Sequence, residues 1–246
     1  AFTHEVTFSS TNLLNQFFNI YPESAQHYLR ELRSRYSSED VLAMLKRTRG
    51  LKVLVIGDAV IDEYHYTRPL GKSGKENLVV NKYVNDEAHA GGVFALANHA
   101  AGFCDSVTMM TVLGAQASQE AFIRERLKPN VRPVFFYRED AVTTVKRRFV
   151  DAEFFTKLFE IYYFDDKPIP PHVEKQAREY LAEVLPQYDC VLVLDYMHGL
   201  LTTNLINLIT SMARFLAVNT QTNAANTGFN LITKYPRADY VCVSEP

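Results

Sequence analysis

The sequence predicts an α/β chain built on a doubly wound, parallel sheet, and three observations predict it. The first is Val53-Leu54-Val55-Ile56, four consecutive aliphatic residues that run straight into Gly57-Asp58. A short unbroken apolar run closed by a turn signal is how a strand buried on both faces of a parallel sheet reads. The second is a matching run, Asp189 to Leu194, which leads into Asp195-Tyr196-Met197-His198-Gly199. The third is the alternation of such strands with amphipathic helical segments along the chain.

At 246 residues, 47% of them apolar, the chain can bury a sizeable core in one large domain or one and a half ordinary ones. A net charge of -2 gives no electrostatic case for nucleic acid or an anionic membrane as the main partner. No apolar run approaches a bilayer span, and the N-terminus lacks a signal-peptide pattern. Cys104, Cys190 and Cys242 are far apart, odd in number and set in apolar surroundings. That predicts buried thiols in a reducing cytoplasm, with neither a disulfide frame nor a zinc site.

Residues 1–49 read as a helical segment, and 50–246 as the α/β domain. Ser10 or Thr11 caps a short helix through Leu13, Leu14, Phe17 and Phe18, broken at Tyr21-Pro22. From Pro22 to Tyr36, Tyr28, Leu32 and Tyr36 share one helical face with Leu29 beside them. Ser37-Ser38-Glu39-Asp40 is a capping signal before Val41, Leu42 and Leu45. Lys46, Arg47 and Arg49 then form a solvated, dipole-matched helix end, closed by Gly50.

Residues 65–90 are polar and glycine-punctuated, which fits short strands in an exposed flap. Gly91-Gly92 feeds a small-residue helix ending near Gly102. Strands follow at Val107–Leu113, Val134–Tyr137, Val142–Val150, Leu158–Phe164, Leu216–Asn219 and Tyr240–Val243. Helices fit Gln119–Leu127, Pro171–Leu185, and a stretch from Thr202 or Thr203 to about Phe215.

Several side chains have a chemical and a plainer reading. Asp58 and Asp62, near the tip of the first strand, can hold the hydroxyls of a polyol, since an ionised carboxylate accepts several hydrogen bonds. The plainer reading, a turn cap and a solvated carboxylate, is the stronger on that stretch alone. Gly91-Gly92 lets a ligand approach the backbone at a helix start, or is simply a tight turn. His99 reads as a packed histidine. Lys146 and Arg148 point to one face of a strand and Arg147 to the other; the pair clamps a phosphate, or the charges guard an edge strand.

Taken together, these residues resemble the PfkB (ribokinase-like) carbohydrate kinases, nearest to the heptose-phosphate kinases of ADP-heptose synthesis. The resemblance spans about 52–245. Val-Leu-Val-Ile-Gly-Asp-x3-Asp-x-Tyr at 53–64 resembles that family's first strand, whose aspartates bind sugar hydroxyls. Gly91-Gly92 resembles its glycine motif, and Thr144-x-Lys146-x-Arg148 the lid strand near the substrate phosphate. Leu194-Asp195-Tyr196-x2-Gly199 resembles its Ser-Asp-Tyr-x-Lys-Gly turn. The fold implied is a ribokinase-like sheet with a small β-lid at about 64–90 and 133–165. The resemblance also implies a sugar or sugar-phosphate substrate, ATP with Mg for the intact kinase, and a homodimer formed through the lid. Asp195, Asn219 and Glu245 would face the nucleotide and magnesium, without a direct metal ligand being named.

The departures are specific. Ala95 stands where the family has Asn, with Asn98 as the substitute; His198 replaces the turn's lysine; Asn219-Thr220-Gln221 replaces Asp-Pro-Lys. No Gly-Ala-Gly-Asp motif is present, so no catalytic base is expected in this chain, and the nucleotide-binding third is expected to be absent. Val6-Thr7-Phe8-Ser9-Ser10-Thr11 resembles the tail of a cytidylyltransferase-like domain, or is a simple helix cap. The expected function is the sugar-binding portion of a carbohydrate kinase from a bifunctional sugar-nucleotide protein. The alternatives are a non-catalytic scaffold or regulatory module of the same fold, or an appendage of a nucleotidyltransferase.

Overall fold

The computed structural model describes residues 21–165, 167–222 and 226–244. The chain divides into two units, Ala1–Arg47 and Thr48–Pro246. In the first, helix α1 (Glu23–Arg35) starts after Pro22, and α2 (Ser38–Arg47) follows. Ser37 caps α2 reciprocally: its hydroxyl accepts the Asp40 N–H at 3.1 Å, and the Asp40 carboxylate accepts the Ser37 N–H at 2.9 Å. The helix and the Ser-Ser-Thr segment predicted before Tyr21 lie outside the described residues, as does Glu245.

In the second unit the elements run β1 (Val53–Gly57), β2 (Ala59–Lys72), β3 (Val79–Gly92), α3 (Val93–Ala100), β4 (Val107–Gln116), α4 (Glu120–Arg126), β5 (Val131–Val142), β6 (Thr144–Asp151) and β7 (Lys157–Tyr163). They continue through α5 (Pro171–Val184), β8 (Cys190–Asp195), α6 (Thr203–Met212), β9 (Leu216–Thr220) and β10 (Tyr240–Cys242). Six strands form one parallel sheet in the order β10-β9-β8-β1-β4-β5. From β1 the chain builds outward first through β4 and β5, then through β8, β9 and β10 on the other side. The order therefore reverses between β1 and β8, where ligands of open α/β sheets gather.

β1 explains the two-sided core. Leu54 and Ile56 pack with Val173 and Leu181 of α5 and Leu205 and Ile209 of α6. Val53 and Val55, one residue out of phase, pack with Phe94 and Ala97 of α3 and Ile123 of α4. Period-two alternation sends neighbours to opposite faces, and both faces are covered, so every position of the run must be apolar. Gly57 closes it because β8 passes too close for a side chain: a Cβ there would lie 2.4 Å from the Leu194 carbonyl oxygen.

The second sheet, the expected lid, has the order β3-β2-β6-β7. Its entry differs from the expectation. The lid hairpin starts at Ala59, one residue after the core strand and ahead of the expected 64, so Asp62 lies on a lid strand. The strand predicted from 133 is also corrected: β5 pairs in parallel with β4 in the main sheet. Val134 and Phe136 pack on the α5 and α6 side and Val131 and Phe135 on the α3 and α4 side, which only a strand of the layered core can do. Cys104 is buried as expected, but Cys242 is exposed, because β10 is the edge of the sheet.

Gly57→Ala should force β1 and β8 apart where the strand order reverses. Urea unfolding should report a loss of about 1–3 kcal/mol, against little change for Gly50→Ala, where a Cβ meets nothing within 4 Å.

Candidate functional site

The site is built where β1 and β8 end side by side. Asp58 follows β1 directly and is 3% exposed. One carboxylate oxygen accepts the N–H of Tyr196 at 2.8 Å and of His198 at 3.3 Å, clamping the turn after β8. Its main-chain carbonyl accepts the N–H of Val93, the first residue of α3, at 3.1 Å. Asp58 thus ties one strand end to the turn after β8 and to the start of a helix. It is a cap after all, but of a turn that lies far away in sequence.

Asp195 ends β8 and is fully buried. Its Oδ2 meets the Lys234 ammonium at 2.6 Å and accepts the Tyr235 hydroxyl at 2.6 Å, while Oδ1 accepts the Met197 N–H at 2.9 Å. Both oxygens are occupied by groups of the chain itself. Asp195 therefore does not fit a direct role toward a nucleotide-bound magnesium. Two buried carboxylates share this crevice, and burial together with the Asp195 charge pushes the Asp58 carboxyl up to about 7.

The lid brings a second set of side chains over the crevice. On its inner face Asp62 pairs across the strands with Lys146, and Lys146 with Tyr162. Arg148 bonds Asp62 at 2.6 Å and Glu160 at 3.2 Å. Both contacts are largely shielded from water, where removal of one partner is costly; the exposed Arg68–Glu153 pair at the lid surface contributes about 0–1 kcal/mol. The Lys146 residue is 4% exposed, and among the described residues no carboxylate oxygen lies within 4.0 Å of its ammonium. The ammonium instead sits 4.8 Å from the Tyr196 ring centre and 5.2 Å from that of Tyr162. Burial lowers its pKa.

Gly91 and Gly92 close the lid hairpin against this set. A Cβ on Gly91 would lie 1.9 Å from an Asp62 carboxylate oxygen. Gly92, at φ +52°, starts α3 with Asp58 O only 2.6 Å from where its Cβ would be. A cleft of about 550 Å³ is lined by Asp62, Gly91, Gly92, Tyr196, Asn219 and Gln221, among others.

The sequence-predicted residues thus fall into two groups. Asp58, Asp62, Gly91, Gly92, Lys146, Arg148 and Asp195 converge on the crevice, and Asn219 lines the cleft with one amide oxygen unpartnered among the described residues. Asn98 is employed elsewhere: its side chain donates to the Arg126 carbonyl and accepts from the Lys128 N–H, fastening α3 to the end of α4. His198 is buried, stacked on Tyr196 and against Phe164, with Nε2 unpartnered among the described residues. Lys234, Tyr235 and Glu160 were not anticipated. Lys234 lies 39 residues beyond Asp195 (234 − 195) in a 3-10 turn with no periodic pattern, so only tertiary contact reveals it.

No protein-family model matches the chain. The bifunctional protein HldE of Rhodopseudomonas palustris is 29% identical over 178 residues, covering 72% of this chain and 36% of the relative. HldE of Trichlorobacter lovleyi is 27% identical over 173 residues, 70% of this chain and 35% of the relative. The chain thus spans about a third of the length of these relatives. Among solved structures, ribokinase from Giardia lamblia superposes with a TM-score of 0.54 at 15% identity, over 79% of this chain and 58% of that one. Phosphofructokinase-2 from Escherichia coli, in complex with fructose-6-phosphate, gives 0.52 at 12% identity, over 72% and 57%. The homologues of this chain are bifunctional HldE proteins, and its fold is that of the ribokinase-like carbohydrate kinases.

Proposed function

We propose that the chain is the sugar-binding portion of an ATP-dependent carbohydrate kinase, acting on a sugar phosphate within a bifunctional protein of sugar-nucleotide synthesis. The observation that carries this reading is the lid: it holds a carboxylate, Asp62, and a buried ammonium, Lys146, without a carboxylate partner among the described residues, over the carboxyl ends of β1 and β8. A carboxylate needs hydroxyl donors and an ammonium needs an anion, and a phosphorylated sugar supplies both. In this reading Asp62 holds sugar hydroxyls with Arg148 bonded beside it, the Gly91-Gly92 backbone approaches the ring, and Lys146 lies toward the phosphate. ATP and Mg belong to the intact kinase, with Asn219 toward that side. The similarity to HldE proteins supports the bifunctional setting, and the free thiols fit a reducing cytoplasm.

The lid also supports a homodimer. Its outer face carries the exposed side chains of Tyr83, Phe159, Ile161 and Tyr163, with Phe149 and Phe159 stacked at 4.5 Å. Exposed apolar sheet faces of this kind mark interaction sites. A second reading, a non-catalytic module of the same fold, is favoured by one observation: Asp195 is closed in by Lys234 and Tyr235.

Two buried groups set opposite pH dependences. Asp58, raised from 3.8 to about 7, holds a proton in the folded chain that the unfolded chain has released. Its stabilising contribution is full below pH about 4 and is lost as pH rises through 7. His198 is pulled from 6.5 to about 4, by burial and then by the nearby Lys146. Its contribution is full above 6.5 and lost as pH falls through 4.

Heptose and hexose phosphates titrated into the wild-type chain should bind, and Asp62→Ala should weaken them by tenfold or more, about 1.4 kcal/mol; equal binding by both proteins refutes the site. Asp58→Asn should remove the falling slope. Between pH 4 and 7 the stability of wild type relative to the variant should drop by on the order of 4 kcal/mol, read from urea unfolding at the two ends. In sedimentation, wild type should run as a dimer and Phe159→Glu as a monomer; an unchanged mass removes the lid interface.

A further inference from the structure

We infer that Arg148 is a positioning residue for Asp62 and does not itself contact the ligand's anionic group, which leaves Lys146 as the cation that discriminates a phosphorylated from an unphosphorylated sugar. This rests on the reading that Asp62 meets sugar hydroxyls. It departs from assigning both cations to the phosphate.

The inference follows from how each cation is already spent. Arg148 is the centre of a relay across three lid strands. Its Nη1 bonds Asp62 Oδ1 at 2.6 Å on β2, its Nε bonds Glu160 Oε1 at 3.2 Å on β7, and the Tyr162 hydroxyl donates to Glu160 Oε2 at 2.5 Å. The guanidinium lies over the Tyr64 ring at 5.2 Å, and its side chain is 14% exposed. Two carboxylates therefore neutralise this one cation. A phosphate reaching it would have to displace a carboxylate or stand beside two of them.

Asp62 is held at one oxygen, leaving the other for a ligand hydroxyl. Oδ1 is held by Arg148, and Oδ2 occupies the space above Gly91 where a side chain would be. A planar fork bonded on two edges sets the direction of that carboxylate, as a single flexible ammonium would not. The strand register then places Lys146 directly beside Asp62. Its ammonium lies between the Tyr162 and Tyr196 rings without a carboxylate partner among the described residues. The anionic groups near it, Asp62, Asp58 and Glu160, act from beyond contact distance. An incoming anion finds this buried charge without a carboxylate among the described residues and the Arg148 charge taken.

The test is calorimetry on the full chain with two probes: the heptose or hexose phosphate that wild type binds most tightly, and the same sugar without its phosphate. Lys146→Met should weaken the phosphorylated sugar about tenfold or more, to the level of the free sugar, whose own affinity stays within about twofold. Arg148→Gln should weaken both by the same factor, so that the wild-type preference survives. Arg148→Lys should fail to restore either. In the Asp62→Asn background, Arg148→Gln should add no further loss. Glu160→Gln, which keeps the strand and the side-chain shape, should reproduce the proportional loss if Arg148→Gln does not fold. A loss confined to the phosphorylated sugar in Arg148→Gln, or an equal loss of both probes in Lys146→Met, overturns the assignment. Wild type binding neither probe is a different result: it removes the proposed function and this inference with it.

Discussion

Everything at the top of the sheet depends on burying the Asp58 carboxylate. A charged group in that position would be costly without partners. Its partners are main-chain N–H groups from the turn after β8, and its own carbonyl accepts the first N–H of α3. One residue therefore fixes three independent pieces of backbone at the place where the strand order reverses. The second carboxylate, Asp195, is balanced by Lys234 and Tyr235, which draws residues 226–235 into the same cluster. Asn226 and Asn230 complete it by donating to main-chain carbonyls of Tyr196, Gln221 and Asp195.

The layered core was legible because its physics is local. Val53 to Ile56 must be apolar at every position when both faces are covered, and a run of that kind is visible in any single sequence. Helices α1, α2, α5 and α6 were legible from their caps and their periodicity. Thr202, for example, accepts the Leu205 N–H at 3.3 Å, as a capping threonine should. The lid boundaries were harder. β2 begins at Ala59, ahead of the lid start expected near 64, because nothing in Ala59-Val60-Ile61 distinguishes the end of a core strand from the start of a lid strand. β5 was placed with the lid by the family resemblance, yet its apolar residues pack on both sides of the core.

The site was legible as a set of residue types and not as a set of contacts. Asp58, Asp62, Lys146 and Arg148 could be named from spacing, but the pairing among them could not. Arg148 reads in sequence as a free cation; in the folded chain it is bracketed by Asp62 and Glu160, 86 and 12 residues away. Asn98 is engaged elsewhere for the complementary reason. A helix presents several polar side chains, and which one faces a ligand is decided by the neighbouring segment, here the end of α4. The same limit hid Lys234, whose partner is set by tertiary folding alone.

The way the two sheets are joined has a mechanical consequence. One residue, Asp58, separates β1 from β2; one residue, Thr143, separates β5 from β6; and β3 runs into α3 with none between. Three of the four crossings therefore have no slack. The upper layer cannot swing like a door on loose string. It can only flex as a cantilever, by twisting the strands that continue beneath it, so load applied at its tip is delivered straight to the sheet below.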